Sequence, residues 1–584
     1  MTRPSLRSTA LMVLVLTAHP AAGQGPADPL LKLVPPDAGV TLAVEDLKGH
    51  SREVLASPLA AGLAGLPAFQ RWRGSDDFAE LRRTVKRVEA VLGEDLSTLR
   101  DGLFGEAVVL TLWVPPGRGP ESARGMLLVK VPDRALLDRL GEKVNASLSK
   151  DGTLRRVTER THAGSKYHVR EFAAGNRETE YYARLGDRVF AWSNSEDLLR
   201  ATIDRNAGGA SGLSQVPAFA EVRKGLPANP AASLFVDPKF IQGLLAGTPT
   251  AEKPQERRLL ALLGQYLSAL RYAGLAVEWR DGVRIHTHEL LEPERLGPSL
   301  KRWAAASRAG EPALARVPAS ALAVVNAGVD LAVALDVFLQ IVPDADRVKF
   351  DTLLVAVRGL MLGMDPVTEV LPKLGPGASA YLDRPGPDGK PPVVLAFKVA
   401  PGPDGAKAAA AVDNALRTLL AFSSLDPKNG GGTRGVETRS HAGASVVALG
   451  GSTPFAYAVH DGRVVLGTTA DAVARALAAQ GDASAGGRFE GLRETFFPGS
   501  SAYACIDLRA LVGVADAHRA ALTSRTAARR KRPEAEVSVD VAQAVDVARL
   551  FDAAYLTIAT DPGLKSVHRT FGLAARDPKT PANR

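Results

Sequence analysis

The residues able to do chemistry are few and scattered: ten histidines and one cysteine in 584 residues. Two of the histidines recur in matching surroundings, Thr161-His162-Ala163-Gly164 and Ser440-His441-Ala442-Gly443. Each precedes Ala-Gly at an expected turn between strands. With no Cys, Asp or second His at ligand spacing, neither has the partners a metal needs, and a hydrogen bond to the turn is the expected role. His286-Thr287-His288 would put two imidazoles on one strand face, a legitimate ligand geometry, but no third ligand can be named, and a surface or edge-strand position is expected. Ser147-Leu148-Ser149-Lys150 spells the Ser-x-x-Lys pattern of penicillin-binding enzymes without its companion Ser-Asp-Asn and Lys-Thr-Gly elements, so a solvated helix end is expected.

Asp237 and Asp507 each follow a strand and precede a helix, where an aspartate caps the free helix amides. Neither has a second carboxylate beside it for acid–base work. Gly375-Pro376-Gly377-Ala378-Ser379-Ala380 resembles a dinucleotide loop in letters only, because it leads into a strand and a phosphate needs a helix N-terminus. Asn145-Ala146-Ser147 is a glycosylation acceptor only in a glycosylating host. Cys505 lies in a strand-like run, Ala502 to Ile506, and reads as a buried structural residue that rules out an intramolecular disulfide. The sequence therefore assigns no catalytic, cofactor-binding or metal-binding residue.

The elements that would hold these residues come in two sets. Tyr182-Ala183-Arg184-Leu185-Gly186-Asp187-Arg188-Val189-Phe190 is answered by Tyr457-Ala458-Val459-His460-Asp461-Gly462-Arg463-Val464-Val465. Ala107 to Leu110 is answered by Ala378 to Tyr381, Ala232 to Asp237 by Ala502 to Asp507, and Val34-Pro35 by Val317-Pro318. Collinear matches at a near-constant offset indicate an internal duplication. Within a copy, Val40–Val44, Ala107–Val114 and Met126–Val131 read as strands, Phe78–Val91 and Arg134–Leu148 as amphipathic helices. Hairpin turns are expected at Gly186-Asp187, Asp281-Gly282 and Asp461-Gly462. The expected fold class is α+β: two tandem diverged copies, each of antiparallel sheet with helices packed on one face. Residues 24–292 form the first copy and 313–576 the second. A Pro/Gly-rich linker, 293–312 with a short helix at Leu300–Ala306, joins them, and 577–584 is a disordered tail.

Arg3 and Arg7 followed by the apolar run Ala10–Ala18 and by Ala21-Ala22-Gly23 read as a cleavable signal peptide over residues 1–23, with no cysteine for a lipid anchor. No later stretch has the length and apolarity of a transmembrane helix. Export to the periplasm or the medium is expected. The net charge is +9, with 46% hydrophobic and 23% charged residues. It falls to +7 without Arg3 and Arg7, and Arg525, Arg529, Arg530, Lys531 and Arg532 supply five of those positives. That cluster is expected in a solvated, flexible loop, and the rest is near balance, so the chain is not read as a nucleic-acid binder.

Val34-Pro35-Pro36-Asp37-Ala38-Gly39-Val40 to Leu47, Phe104-Gly105-Glu106-Ala107, and Tyr182-Ala183 through Ser195-Glu196-Asp197-Leu198-Leu199 resemble the DUF3352-type exported proteins of bacterial envelopes, and the Ala/Gly/Arg-rich style resembles planctomycete secreted proteins. The resemblance is architectural and carries no activity over. The expected function is a non-catalytic binding or structural module of the envelope, with another envelope protein or a polymer as partner and no cofactor. The alternative is a secreted hydrolase whose residues are scattered in sequence.

Overall fold

The computed structural model describes residues 25–114, 122–173, 178–246, 254–279, 281–309, 317–374, 377–386, 390–424, 436–450, 454–481, 489, 492 and 500–576. The expected leader and tail lie outside these residues. The chain divides into two compact units, Met1–Pro249 with Leu270–Leu291 and Ala574–Arg584, and Thr250–Ala269 with Glu292–Leu573.

In the first unit the strands are β1 Val40–Glu45, β2 Ala107–Trp113, β3 Arg124–Lys130, β4 Leu154–His162, β5 Ser165–Phe172, β6 Glu180–Leu185, β7 Val189–Ser193, β8 Ala232–Val236, β9 Leu270–Glu278 and β10 Gly282–Leu291. Their helices are α1 Asp28–Leu31, α2 Leu47–Ala56, α3 Pro58–Gly65, α4 Pro67–Arg73, α5 Asp76–Leu92, α6 Leu96–Leu103, α7 Arg134–Lys150, α8 Glu196–Asn206, α9 Pro217–Lys224 and α10 Pro238–Ala246. The sheet is antiparallel throughout, in the order β10-β9-β8-β1-β2-β3-β7-β6-β5-β4.

The second unit begins with α11 Pro254–Ala269 and α12 Pro298–Ala309. Its strands are β11 Ala323–Ala327, β12 Ala378–Leu382, β13 Val393–Lys398, β14 Val436–His441, β15 Ala444–Leu449, β16 Phe455–His460, β17 Arg463–Gly467, β18 Ala502–Asp507, β19 Phe551–Thr560 and β20 Ser566–Ala575. The remaining helices are α13 Leu331–Ile341, α14 Asp344–Leu360, α15 Pro403–Ser424, α16 Ala470–Gly481, α17 Leu508–Ala517, α18 Arg519–Arg530 and α19 Glu534–Ala548. Here the order is β20-β19-β18-β11-β12-β13-β17-β16-β15-β14.

Local chemistry explains the punctuation. Ser75 caps α5 by accepting from the Phe78 amide, and Gly93 ends that helix at φ 66, a left-handed conformation that glycine adopts without a Cβ clash. The β4–β5 loop is two residues, Ala163-Gly164, both at positive φ (45 and 76), and the β14–β15 loop repeats this at Ala442-Gly443 (50 and 80). That is the type I′ geometry matched to strand twist. The turn at Asp461-Gly462 is likewise two residues. The one at Gly186-Asp187 takes in Arg188 as a third, because Leu185 pairs with Val189. Within 293–312, Pro298–Ala309 is helical and Ser299 and Arg302 both bind Asp336 of α13.

The first unit's core lies under α1, α8 and α9, where Leu30, Leu31, Ala43, Val109, Leu128, Leu199, Phe219 and Phe235 are buried together. The expectation of helices on one face needs correction at the β4–β7 end. On β5, Tyr167 hydrogen-bonds Glu196 of α8, whereas Arg170, on the opposite face, bonds Asn145 of α7. His168 stacks on Tyr182 at 5.0 Å, so this second face has apolar surface for α7 to cover. The second unit does the same: Tyr457 of β16 packs with Leu420 of α15 and bonds Asp413, while its buried neighbours Ala456 and Ala458 point the other way.

Candidate functional site

The recurring polar residues are taken up by structural partners. His162 Nε2 lies 2.8 Å from Asp204 Oδ1 on α8; its partner is a helix rather than the turn it precedes. His441 is exposed on the edge strand β14. His286 pairs with Glu278 of the neighbouring strand at 2.9 Å. His288 is buried rather than at the surface as expected, because it meets the Val222 carbonyl of α9 at 3.0 Å; a carbonyl only accepts, so Nδ1 carries the proton. A Cβ at Gly225 would fall 1.8 Å from that Nδ1, so glycine is required where α9 ends. The two imidazoles of β10 thus take separate partners. Among the described residues no three His, Cys, Asp or Glu are grouped to hold a metal.

Asp507 caps α17 through the Ala510 amide at 2.8 Å, and Asp237 accepts from the Lys239 amide at 2.9 Å. Cys505 is buried. Ser147 and Lys150 stand at the end of α7 beside a shallow depression shared with Val91, Gly93 and Lys143; Lys143 is spent on the Leu92 carbonyl at 2.7 Å. The basic cluster is not a loop. Arg525, Arg529 and Arg530 belong to α18, Lys531 caps its end at φ 52, and Arg532 pairs with Glu536 and Asp540. Cations at a helix C-terminus face the negative end of its dipole, which favours helix over loop here.

Sequence reading missed two charge clusters. Glu196 receives Tyr167 Oη at 2.5 Å, Arg160 at 2.9 Å and Arg200 at 2.8 Å. Burial pushes the carboxyl up, but the bonds from Tyr167 and Arg160 and the charge of Arg200 outweigh it and hold Glu196 below its ordinary range. Glu45 ends β1 almost wholly buried, accepting from the Ala27 amide at 3.2 Å with Arg223 at 3.4 Å. Arg223 also pairs with Asp28. Burial is the larger influence and raises the Glu45 carboxyl. In both clusters the carboxylates and guanidiniums pair with one another, and among the described residues neither has a reacting partner beside it.

The feature that stands out is apolar. On the face of the first unit's sheet turned from the core, register builds three rows across β9-β8-β1-β2-β3. They are Leu275–Leu234–Leu42–Leu110–Leu127, Ala273–Val236–Val40–Leu112–Gly125 and Val277–Ala232–Val44–Val108–Val129. The second unit repeats the plan across β19-β18-β11-β12-β13. Its rows are Leu556–Ala504–Val325–Ala380–Leu395, Ala554–Ile506–Ala323–Leu382–Val393 and Ile558–Ala502–Ala327–Ala378–Phe397. No row carries a polar side chain. Yet Leu110 and Leu112 are 38% and 37% exposed, and Val325, Val393, Leu395, Ile506 and Leu556 lie between 37% and 50%. A solvated face of an antiparallel sheet ordinarily alternates to polar, and contiguous exposed apolar surface marks an interaction site.

A signal for this face was present in the sequence. Ala107-Val108-Val109-Leu110-Thr111-Leu112-Trp113 is an almost unbroken apolar run, the pattern of a strand apolar on both faces. No protein-family profile matches the chain, and no curated protein matches it significantly.

Proposed function

We propose that the chain is an exported, non-catalytic binding protein of the DUF3352 type it resembles, built from two diverged copies of one unit. Its contact surfaces are the open apolar sheet faces. The observation that carries the reading is the set of rows above: thirty positions in two sheets, all apolar, on the side away from the core. Duplication is supported by the strand order, which corresponds one to one when ten is added to each strand number of the first unit. It is supported also by the matched Ala-Gly turns and by the placement of equivalent apolar rows on equivalent strands. The structural employment of His162, Asp237, Asp507 and their neighbours favours binding over the hydrolase alternative.

The test is binding of the environment-sensitive dye 1-anilinonaphthalene-8-sulfonate to the purified chain. The reading expects saturable fluorescence enhancement that drops when Leu110 or Val325 becomes Asp with the fold retained. Enhancement unchanged in both variants would remove the open faces as the contact surface. Export is tested separately by sequencing the N-terminus of protein recovered from the native host, which is expected to begin at Gln24.

A further inference from the structure

We infer that the open face of the second unit's sheet binds one long-chain fatty acid, the hydrocarbon lying along β12 over Ala378, Ala380 and Leu382, beside Val325, and the carboxylate meeting Arg384. The inference rests on the open-face reading above and assigns its ligand.

Three observations choose this occupant. First, the face offers hydrocarbon only. Its central strands are paired on both sides, β11 between β12 and β18, and β12 between β11 and β13, so their backbone donors and acceptors are consumed. A peptide adding as an extra strand needs a free edge and would find none here. The rows also lack the Tyr, Trp and Arg that anchor protein partners. Second, the face is small. Five strands span about 19 Å, and three same-face residues span about 13 Å along each strand, roughly 250 Å² in all. A standard protein–protein interface takes about 800 Å² from each partner. Alanines alternate with larger aliphatic residues along the row, Leu556–Ala504–Val325–Ala380–Leu395, which gives a corrugated floor suited to a single flexible chain. Third, charge is supplied at one end. Leu382 closes β12 on the open side. Its neighbour Asp383 is fully buried and turned to Arg475 of α16, which leaves Arg384 exposed beyond Leu382. The Arg384 guanidinium has no ion-pair partner among the described residues. A guanidinium at the rim of an apolar floor complements a carboxylate at the end of an aliphatic chain.

The experiment titrates the full chain with the fluorescent fatty acid cis-parinaric acid and competes it with palmitate. The expected result is a saturable site displaced by palmitate, weakened at least tenfold by Val325→Asn or Ala380→Asn. Arg384→Gln should weaken palmitate at least fivefold and leave methyl palmitate, which has no carboxylate, unchanged. Circular dichroism of each variant guards against unfolding, and since Val325 is half exposed, its asparagine variant is expected to fold. Arg530→Gln, at the exposed end of α18 and outside both faces, is expected to leave parinarate binding intact. Absence of saturable parinarate binding, or binding indifferent to the Val325 and Ala380 variants, would overturn the proposal. So would uptake of phosphatidylcholine vesicles without displacement by palmitate. If the anilinonaphthalene dye still reports on Leu110→Asp and Val325→Asp while palmitate does not bind, the open-face reading survives and the fatty acid assignment falls. If the dye is indifferent too, both fall.

Discussion

Leu42 and Leu110 stand directly opposite each other across β1 and β2, at the centre of a row of five leucines on the side of the sheet away from the core. Their strand neighbours Ala43 and Val109 are wholly buried on the other side. One residue along the chain therefore separates a position that holds the fold from one that does not. Leu110→Asp is expected to change unfolding free energy by no more than about 1 kcal/mol, as for exposed sites away from special features. Val109→Asp should cost more than about 4 kcal/mol, because it buries an unpaired charge. Urea denaturation of the two variants checks the contrast. Equal losses would mean that the Leu110 face is packed against something.

Glu45 gives the first unit a pH dependence. Its carboxyl is raised by burial, so the folded state holds the proton over a range where the unfolded chain has already released it. Stability then falls as pH rises from about 4.5, the ordinary range of a glutamate, through the raised value. Glu45→Gln keeps the shape and removes the titration. Its stability relative to the parent protein is expected to improve as pH rises from about 4.5 and to level off once the raised value is passed, read as the difference in urea midpoints. A difference running the opposite way would show that the charge of Arg223, 3.4 Å away, dominates over burial.

Much of the strand and helix inventory was legible because it depends on neighbours in sequence. Asp76–Leu92 and Arg134–Lys150 announce themselves by helical spacing, and Ala163-Gly164 by turn chemistry. Register was not legible. Leu185 pairs with Val189 across a three-residue loop, whereas His460 pairs with Arg463 across two residues. Matching Val189-Phe190 to Val464-Val465 by letter is thus one residue out, and a one-residue slip exchanges the faces of a strand. The same slip affects Ala107–Leu110 against Ala378–Tyr381: across from the equivalent strands, Val109 faces Ala43 and Ser379 faces Asn326. The pairing of His162 with Asp204, 42 residues on, leaves no local trace. The open apolar face needed register as well, since it exists only when five strands from distant segments are laid side by side.

Asp237 allows capping to be separated from acid chemistry. It accepts from the Lys239 amide at the start of α10. Asp237→Ala is expected to cost about 1 kcal/mol, and Asp237→Asn, whose side-chain oxygen can accept the same bond, close to nothing. Thermal melts of the pair decide it, and ligand binding should be unmoved in both. Loss of ligand binding in the Asn variant would return the carboxylate to the list of functional groups.

The two Ala-Gly turns carry removable strain. Ala442 holds φ 50 and Ala163 φ 45, in the left-handed region that costs a residue with a Cβ about 1–2 kcal/mol. Asparagine tolerates that region and is preferred at the first position of a type I′ turn. Ala442→Asn is accordingly expected to raise stability by about 0.5–1 kcal/mol. Gly443→Ala, at φ 80, should lower it by about 1 kcal/mol or more. Both sites are exposed in the β14–β15 hairpin, so neither substitution changes burial and the backbone alone sets the sign. Chemical denaturation of the two variants in parallel checks it. Stabilisation by Asn with destabilisation by Ala would establish that the turn geometry, and not a contact of the neighbouring His441, is what this repeated Ala-Gly pair maintains.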